Sequence, residues 1–361
     1  MIYPNKRIPL VRRDCYLKRL NQYVKNRNYE RTILYTKLGN LIYLKPGRYI
    51  LLHIGKTVLC KPKDIRRILE VISRAYLSSK SNRVKLFLKI LIGEVFKIDI
   101  PNNTAEEPNG DFVIITAKNN YKLFNFDRMQ VSTYSTNEKF LHQEKTYEAI
   151  GKHFPSAIIA FDENKLIIVE NLIYQVNEKQ FVTRLIVVLN QYIDFFIKYA
   201  QSTKSFRTMS FQNRWGEDIS KQVFNLLDER QVKIIEESEY PYLLGHGDFW
   251  ANNVLLTANG WILIDWDHAD VHVFFYDVFH FIIQFTQKNN NYALLDQVFN
   301  GALTDGLTSL FHVFEMVYND DKILDYLLLA TTDRIAKFLA LGYEVDNAFL
   351  ITLGNIEKQY L

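Results

Sequence analysis

Asp248, Asn253 and Asp265 are spaced in this sequence so that one loop and the end of a following strand can gather three oxygen-bearing side chains around a single metal and phosphate centre. They sit in LLGHGDFWANNVLL, from Leu243 to Leu256, and GWILIDWDHAD, from Gly260 to Asp270. Asp248 is placed to accept or orient the proton of an attacking hydroxyl. Asn253, five residues on, can turn its amide oxygen to a cation, and Asp265 follows the apolar Ile262-Leu263-Ile264. A hard divalent cation such as magnesium takes oxygen ligands, few of them from protein and the rest from phosphate and water. Phosphoryl transfer is the chemistry this set suits best. Isolated Asp and Asn in turns mostly bond their own backbone, but the two motifs in order and joined by a hairpin favour a functional reading.

The elements that must position these residues are legible nearby. Leu243-Leu244 form an apolar approach, His246-Gly247 a tight turn, and Val254-Leu255-Leu256 a short buried strand. Asn259-Gly260 is a hairpin signal and Trp261 to Ile264 the returning strand. The polar residues therefore fall at strand ends.

His-Gly-Asp, four intervening residues and Asn, followed by Ile-Asp-Trp-Asp, resembles the catalytic and metal motifs of the aminoglycoside phosphotransferase and choline kinase superfamily, relatives of the protein kinases. The resemblance implies Asp248 as catalytic base, Asn253 and Asp265 as magnesium ligands, and His246 as a prop of the catalytic loop. It implies a second acidic metal position at Asp267, and a buttress of the loop at Asp277 in FFYDVFHFI. ATP and magnesium are the implied cofactors.

Upstream the pattern follows the smaller lobe of a kinase. Asp111 to Thr116, Tyr121 to Phe126 and Met129 to Tyr134 read as antiparallel strands, Asn137 to Phe154 as a helix, and Ala157 to Phe161 and Leu166 to Val169 as two more strands. Within the resemblance, Glu144 matches the helix glutamate that pairs with a phosphate-holding lysine. Glu170, Asn171 and Leu172 match the hinge that binds adenine through backbone groups. The lysine itself has no match: Met129 to Ser135 contains no Lys or Arg, and Lys122, Arg128 and Lys139 lie a strand away or at the edges. Nor is there a glycine-rich loop, since Lys118-Asn119-Asn120 occupies that turn.

Downstream, Lys179 to Ala200, Ser220 to Ser238, Asp320 to Leu341 and Asn347 to Leu361 have helical spacing, with Gly342 as a stop. The expected fold is α+β and protein-kinase-like, with a small antiparallel-sheet lobe at 101–172, a larger helical lobe at 173–361 and a basic extension at 1–100.

The net charge of +4 over 361 residues hides an asymmetry. Residues 1–100 hold 23 Lys or Arg against 6 Asp or Glu, while the remainder holds 21 against 34. A basic segment suits an anionic membrane surface or polyanion, or the acidic rest of its own chain. Within it, Thr32 to Tyr35, Leu41 to Leu44 and Tyr49 to Ile54 read as a strand meander. Asp64 to Phe96 reads as basic amphipathic helices, whose apolar stripe is more often core than membrane contact. No nucleic-acid motif accompanies the charge, so no nucleic-acid partner is expected.

A hydrophobic share of 48% supplies core for two lobes and an extension. Cys15 and Cys60 make no metal-ligand spacing. With no charged-then-apolar leader they point to a cytoplasmic protein, peripheral at the membrane if the basic segment docks there. No apolar run approaches the roughly 20 residues that cross a bilayer.

The reading is an ATP-dependent phosphotransferase acting on a hydroxyl of a small molecule: a sugar, aminosugar, amino alcohol or cell-envelope precursor. The alternatives are a pseudokinase or scaffold whose basic region binds a membrane or polyanion, and a nucleotidyl transferase.

Overall fold

The computed structural model describes residues 33–35, 41–43, 47–53, 57–65, 97–100, 110–115, 121–173, 181–203, 206–345 and 347–360. The chain forms two compact units, one comprising residues 1–141 and 157–175, the other 142–156 and 176–361. The amphipathic helices expected between Asp64 and Phe96, and the turn at Lys118-Asn119-Asn120, lie outside the described residues.

The first unit is built on strands. A two-stranded ribbon pairs β1 (Ile33–Tyr35) with β2 (Leu41–Tyr43). The remaining strands are β3 (Gly47–His53), β4 (Thr57–Cys60), β5 (Lys97–Ile100), β6 (Phe112–Ile115), β7 (Tyr121–Asn125) and β8 (Gln130–Tyr134). After helix α1 (Asn137–Ala149) come β9 (Ile158–Asp162) and β10 (Ile167–Asn171). Eight of these form one antiparallel sheet in the order β5-β3-β4-β6-β7-β8-β10-β9. The expected division at residue 100 runs through this sheet, because β4 pairs with β6 from Thr57 opposite Ile115 to Cys60 opposite Phe112. Pairing with β3 and β6 defines strand β4, and pairing with β3 defines β5. Alternation places Val131 and Thr133 of β8 inward, and Phe112 stacks on its cross-strand partner Phe124 at 4.3 Å. The Asp111 carboxylate closes the β7-β8 turn by accepting the Phe126 N–H at 2.7 Å.

The second unit is mainly helical. It starts with α2 (Phe181–Ser202), which buries Leu185, Val188, Leu189, Tyr192 and Phe196 at helical spacing. β11 (Arg207–Ser210) and the short α3 (Phe211–Trp215) follow. The single helix expected from Ser220 to Ser238 is two, α4 (Glu217–Phe224) and α5 (Glu229–Glu236). Asp228 breaks it: its carboxylate accepts the Gln231 N–H at 2.9 Å while the Gln231 side chain accepts the Asp228 N–H, a capping box that starts a new helix.

Next come β12 (Glu239–Gly245), β13 (Val254–Thr257), β14 (Gly260–Leu263) and β15 (Asp270–Val273). β12 is the middle strand of the sheet β11-β12-β15, and β13-β14 is the expected hairpin, with Ala258-Asn259 at its tip. The chain ends in α6 (Tyr276–Asn289), α7 (Ala293–Phe299), α8 (Thr304–His312), α9 (Ile323–Ala340) and α10 (Ala348–Tyr360). Helix α6 is buried on every face from Tyr276 to Thr286, so its few polar residues must be satisfied internally or by something bound. The architecture is α+β, with an antiparallel sheet unit and a larger, mainly helical unit. Among the described residues no helix is long and apolar enough to cross a membrane.

Candidate active site

The sharp turn out of β12 is made by glycine chemistry. Gly247 has φ +73, and a Cβ there would lie 2.1 Å from the His268 carbonyl oxygen. At Gly245 a Cβ would lie 2.6 Å from Asp277 Oδ2. These two bare positions let the Asp277 carboxylate approach the loop and accept the backbone N–H groups of His246 at 2.8 Å and Gly247 at 2.9 Å. Tyr192 of α2 donates its hydroxyl to the same carboxylate at 2.6 Å, and burial pushes that phenol well above its usual range. Asp277 thus clamps the turn from the start of α6, the position the resemblance implies.

His246 is fully buried, and its two nitrogens have opposite tasks. Nε2 lies 3.0 Å from the Ile264 carbonyl, which can only accept, so Nε2 carries the proton. Nδ1 accepts the Asp248 N–H at 3.3 Å. The ring ties the loop to the residue before Asp265.

Asp248 and Asn253 are in direct contact. Asn253 Nδ2 donates to the Asp248 backbone oxygen at 2.8 Å and to its Oδ2 at 3.2 Å. The Asn253 backbone oxygen accepts the Ile264 N–H at 3.0 Å, which brings the two motifs side by side. Asp265, the next residue, is exposed and left-handed at φ 67, ψ 63, a conformation in which Asp is enriched but still strained.

The far oxygen of Asp248 meets two groups that the sequence reading did not single out. Arg334 Nη1 of α9 lies 3.6 Å from Oδ1, and His280 Nε2 of α6 lies 3.8 Å from it. Arg334 Nη1 also lies 2.9 Å from His280 Nε2. A guanidinium only donates, so Nε2 is the acceptor and His280 is neutral. Burial and the Arg334 charge hold this imidazole down to about 4. Burial alone would raise the Asp248 carboxyl. The carboxyl nonetheless lies well below the usual range, and with His280 neutral and accepting from Arg334 it is the guanidinium that supplies the opposing charge.

A second network anchors the 266–273 segment to α9. Asp333 accepts from Trp215 Nε1 at 2.8 Å and holds His272 at 2.6 Å, while Lys337 donates to the His268 carbonyl at 2.6 Å and lies 3.4 Å from Asp270. His272 stacks on Tyr276 at 3.9 Å, and Tyr276 on His280 at 5.2 Å, a column of rings running to Asp248.

The residues present fit a magnesium ion in part. Asn253 uses only Nδ2, leaving Oδ1 without a hydrogen bond among the described residues, and the Asp265 carboxylate has none there either. One amide oxygen and one carboxylate are an oxygen set of the kind this ion accepts beside phosphates. Asp267 is engaged by the Gln143 amide of α1, which keeps it from being a simple free ligand. Gln143 is a residue the sequence reading missed; its neighbour Glu144 is partly buried and has no hydrogen-bond or ion-pair partner among the described residues.

Glu170, Asn171 and Leu172 belong to the other unit. Glu170 accepts from Thr133 at 3.1 Å and lies 3.6 Å from Lys122 Nζ. The Asn171 N–H donates to Ala157 O and the Leu172 N–H to Met129 O, each at 2.7 Å. Both backbone donors are therefore used within the sheet unit. Lys122, opposite Thr133 on the neighbouring strand, is the basic residue that the sheet sets beside β8. A separate cavity in the second unit, lined by Ile197, Phe206, Ser309 and His312 among others, shares none of the catalytic-loop residues.

Residues 198–309, which include both motifs, match the family described as the phosphotransferase enzyme family, APH. The match covers the segment that carries the motifs on which the resemblance to the aminoglycoside phosphotransferase and choline kinase superfamily rests. The chain is similar in structure to a glucosamine kinase at 11% identity, covering 89% of this chain and 96% of that one with a TM-score of 0.44. It is similar to amicoumacin kinase hAmiN, solved with AMP-PNP and Ca2+, at 14% identity over 68% and 87% with a TM-score of 0.40. It is also similar to a choline/ethanolamine kinase family protein from Mesorhizobium loti at 13% identity over 65% and 82% with a TM-score of 0.37. No curated protein matches the sequence.

Proposed function

We propose that this chain is an ATP-dependent phosphotransferase acting on a hydroxyl of a small acceptor: a sugar, aminosugar, amino alcohol or cell-envelope precursor. The observation that carries the reading is the double contact of Asn253 with Asp248 on a loop clamped by Asp277, with Asp265 delivered beside it. Asn253 Oδ1 and Asp265 would hold magnesium, with Asp267 as a second acidic position. When bound, the ion neutralises charge gathering between the β- and γ-phosphates.

Asp248 stays ionised beside Arg334, so it is a weak base. Its task is to accept the hydrogen bond of the acceptor hydroxyl, aim that oxygen at the γ-phosphorus, and take the proton as the new O–P bond forms and the bond to the β–γ bridging oxygen breaks. Such late proton transfer suits a loose transition state, in which placement and charge account for most of the acceleration. His246 and Asp277 hold the loop that presents it.

A screen of hydroxyl-bearing metabolites for acceptor-dependent ADP release tests the reading. Release by the wild type that Asp248→Ala abolishes, with the fold retained, is the expected result; undiminished release by the variant overturns the assignment of Asp248.

A second reading, a nucleotide-binding scaffold without turnover, is favoured by β8, which carries no Lys or Arg, and by the occupied N–H groups of Asn171 and Leu172. Magnesium-ATP binding by calorimetry, with no turnover on any acceptor, would support it.

A further inference from the structure

The two carboxylate oxygens of Asp248 have different surroundings. Oδ2 accepts from Asn253 Nδ2 at 3.2 Å. Oδ1 accepts no hydrogen bond among the described residues, yet it faces a full positive charge, with Arg334 Nη1 at 3.6 Å. A hydrogen bond would occupy a lone pair of this oxygen. A charge standing just beyond bonding distance stabilises the carboxylate and leaves the lone pairs open. The Asp248 side chain is 20% exposed, so the carboxylate is within reach of an incoming hydroxyl.

Arg334 is held at that stand-off from several sides. Nη1 donates to His280 Nε2 at 2.9 Å and lies 3.4 Å from the Tyr276 hydroxyl. The guanidinium lies 5.0 Å from the Phe338 centroid and 4.9 Å from that of Phe349, so the cation is lodged between two rings that attract it. His280 is itself fixed, stacked on Tyr276 at 5.2 Å. The neighbours of Arg334 on α9 pin the helix to the same loop. Asp333 holds His272 at 2.6 Å, and Lys337 donates at 2.6 Å to the His268 carbonyl, against which the bare Gly247 packs.

A buried arginine beside a catalytic loop has two other uses. It can bind a substrate phosphate directly, but Arg334 is 5% exposed and its Nη1 is engaged by His280. It can merely tie two helices together, but the one ion pair it makes among the described residues is with Asp248. Since His280 is neutral, that mostly buried carboxylate would have no permanent countercharge in contact with it if Arg334 were absent.

We infer that Arg334 is a positioning residue of the transfer step: it holds the Asp248 carboxylate in place by charge, leaves Oδ1 open to the acceptor hydroxyl, and acts through Asp248 without touching nucleotide or acceptor. The inference rests on the phosphotransferase reading and adds to it a residue from outside both motifs.

The test measures kcat and KM for ADP release by wild type, Arg334→Met, Arg334→Gln and Arg334→Lys, with glucose, glucosamine, choline and water as acceptors, and circular dichroism to confirm the fold of each variant. Misplacement of a reacting group by about 1 Å costs about a hundredfold in rate. Folded Arg334→Met and Arg334→Gln are therefore expected to lose about a hundredfold in kcat, with the KM for ATP unchanged. The contact with Oδ1 is one of charge and not of a two-pronged fork, so Arg334→Lys should stay within about tenfold of the wild-type kcat. An arginine with a structural role alone would lower stability and leave the folded molecules turning over at the wild-type kcat. Neutral variants with wild-type kcat, or an Arg334→Lys as slow as Arg334→Met, overturn the inference and leave the phosphotransferase reading standing. If neither neutral variant folds, Arg334→Lys decides at the same limit of about tenfold. Wild-type protein that releases no ADP with any of the four acceptors removes the phosphotransferase reading and this inference together.

Discussion

Asn253 grips Asp248 twice, through the backbone oxygen at 2.8 Å and the carboxylate Oδ2 at 3.2 Å, with a single Nδ2. The amide is thereby oriented with its oxygen left over, which makes one residue both a brace for the catalytic carboxylate and a candidate metal ligand. Asn253→Ala is expected to raise the magnesium concentration needed for half-maximal turnover at least tenfold and to lower kcat as well. Asn253→Asp keeps a metal oxygen but sets a second carboxylate against Asp248, so it should recover magnesium affinity without recovering kcat. Steady-state rates across a magnesium titration separate the two effects.

Asp277 is the structural hub of the loop. Removing its carboxylate in Asp277→Ala strands two buried N–H groups and a tyrosine hydroxyl, a loss of about 3–5 kcal/mol by the cost of unsatisfied buried partners. Tyr192→Phe deletes one donor and should cost about 1–2 kcal/mol. Urea unfolding of both variants checks the ranking; a Tyr192→Phe protein less stable than Asp277→Ala would contradict it.

Gly247→Ala combines a left-handed backbone with a contact at 2.1 Å to a carbonyl oxygen, and is expected to destabilise by more than about 2 kcal/mol and to eliminate turnover. Gly216→Ala is the control. It shares a positive φ, +81, but meets nothing within 4 Å, so it should cost only about 1 kcal/mol.

His280 makes stability fall with acid. Burial and then the Arg334 charge depress its imidazole from 6.5 to about 4, so below pH 6.5 the unfolded chain takes up a proton that the folded one refuses. Its contribution is complete above pH 6.5 and is lost as the pH drops toward 4, on the order of 2–3 kcal/mol over that window. In His280→Gln this part of the decline should vanish. Denaturant midpoints at pH 7.0 and 4.5 for both proteins measure it, and an unchanged decline in the variant would count against the neutral assignment.

How much of this could be read along the chain follows from range. The His-Gly-Asp turn, the five-residue step to Asn253 and the hairpin that returns Asp265 are local: glycine conformation, strand alternation and turn residues act over a few bonds, so spacing alone places those side chains at strand ends. The α+β division and the helices α2, α9 and α10 are legible for the same reason, while α3, α6, α7 and α8 are not read from spacing and the split at Asp228 depends on a capping box inside an otherwise continuous helical pattern.

The surroundings of Asp248 were settled only by the fold. His280 lies between apolar Phe279 and Phe281, Arg334 lies among Thr331, Thr332, Asp333 and Lys337 with nothing to mark it apart from them, and Gln143 reaches Asp267 across 124 residues of sequence. Such contacts exist because helix packing closes long loops at an entropic cost that buried apolar area offsets, and nothing near either residue in the chain encodes its partner. The sequence by itself determined which groups are offered to a metal and a phosphate; the tertiary structure decided what charge stands behind them.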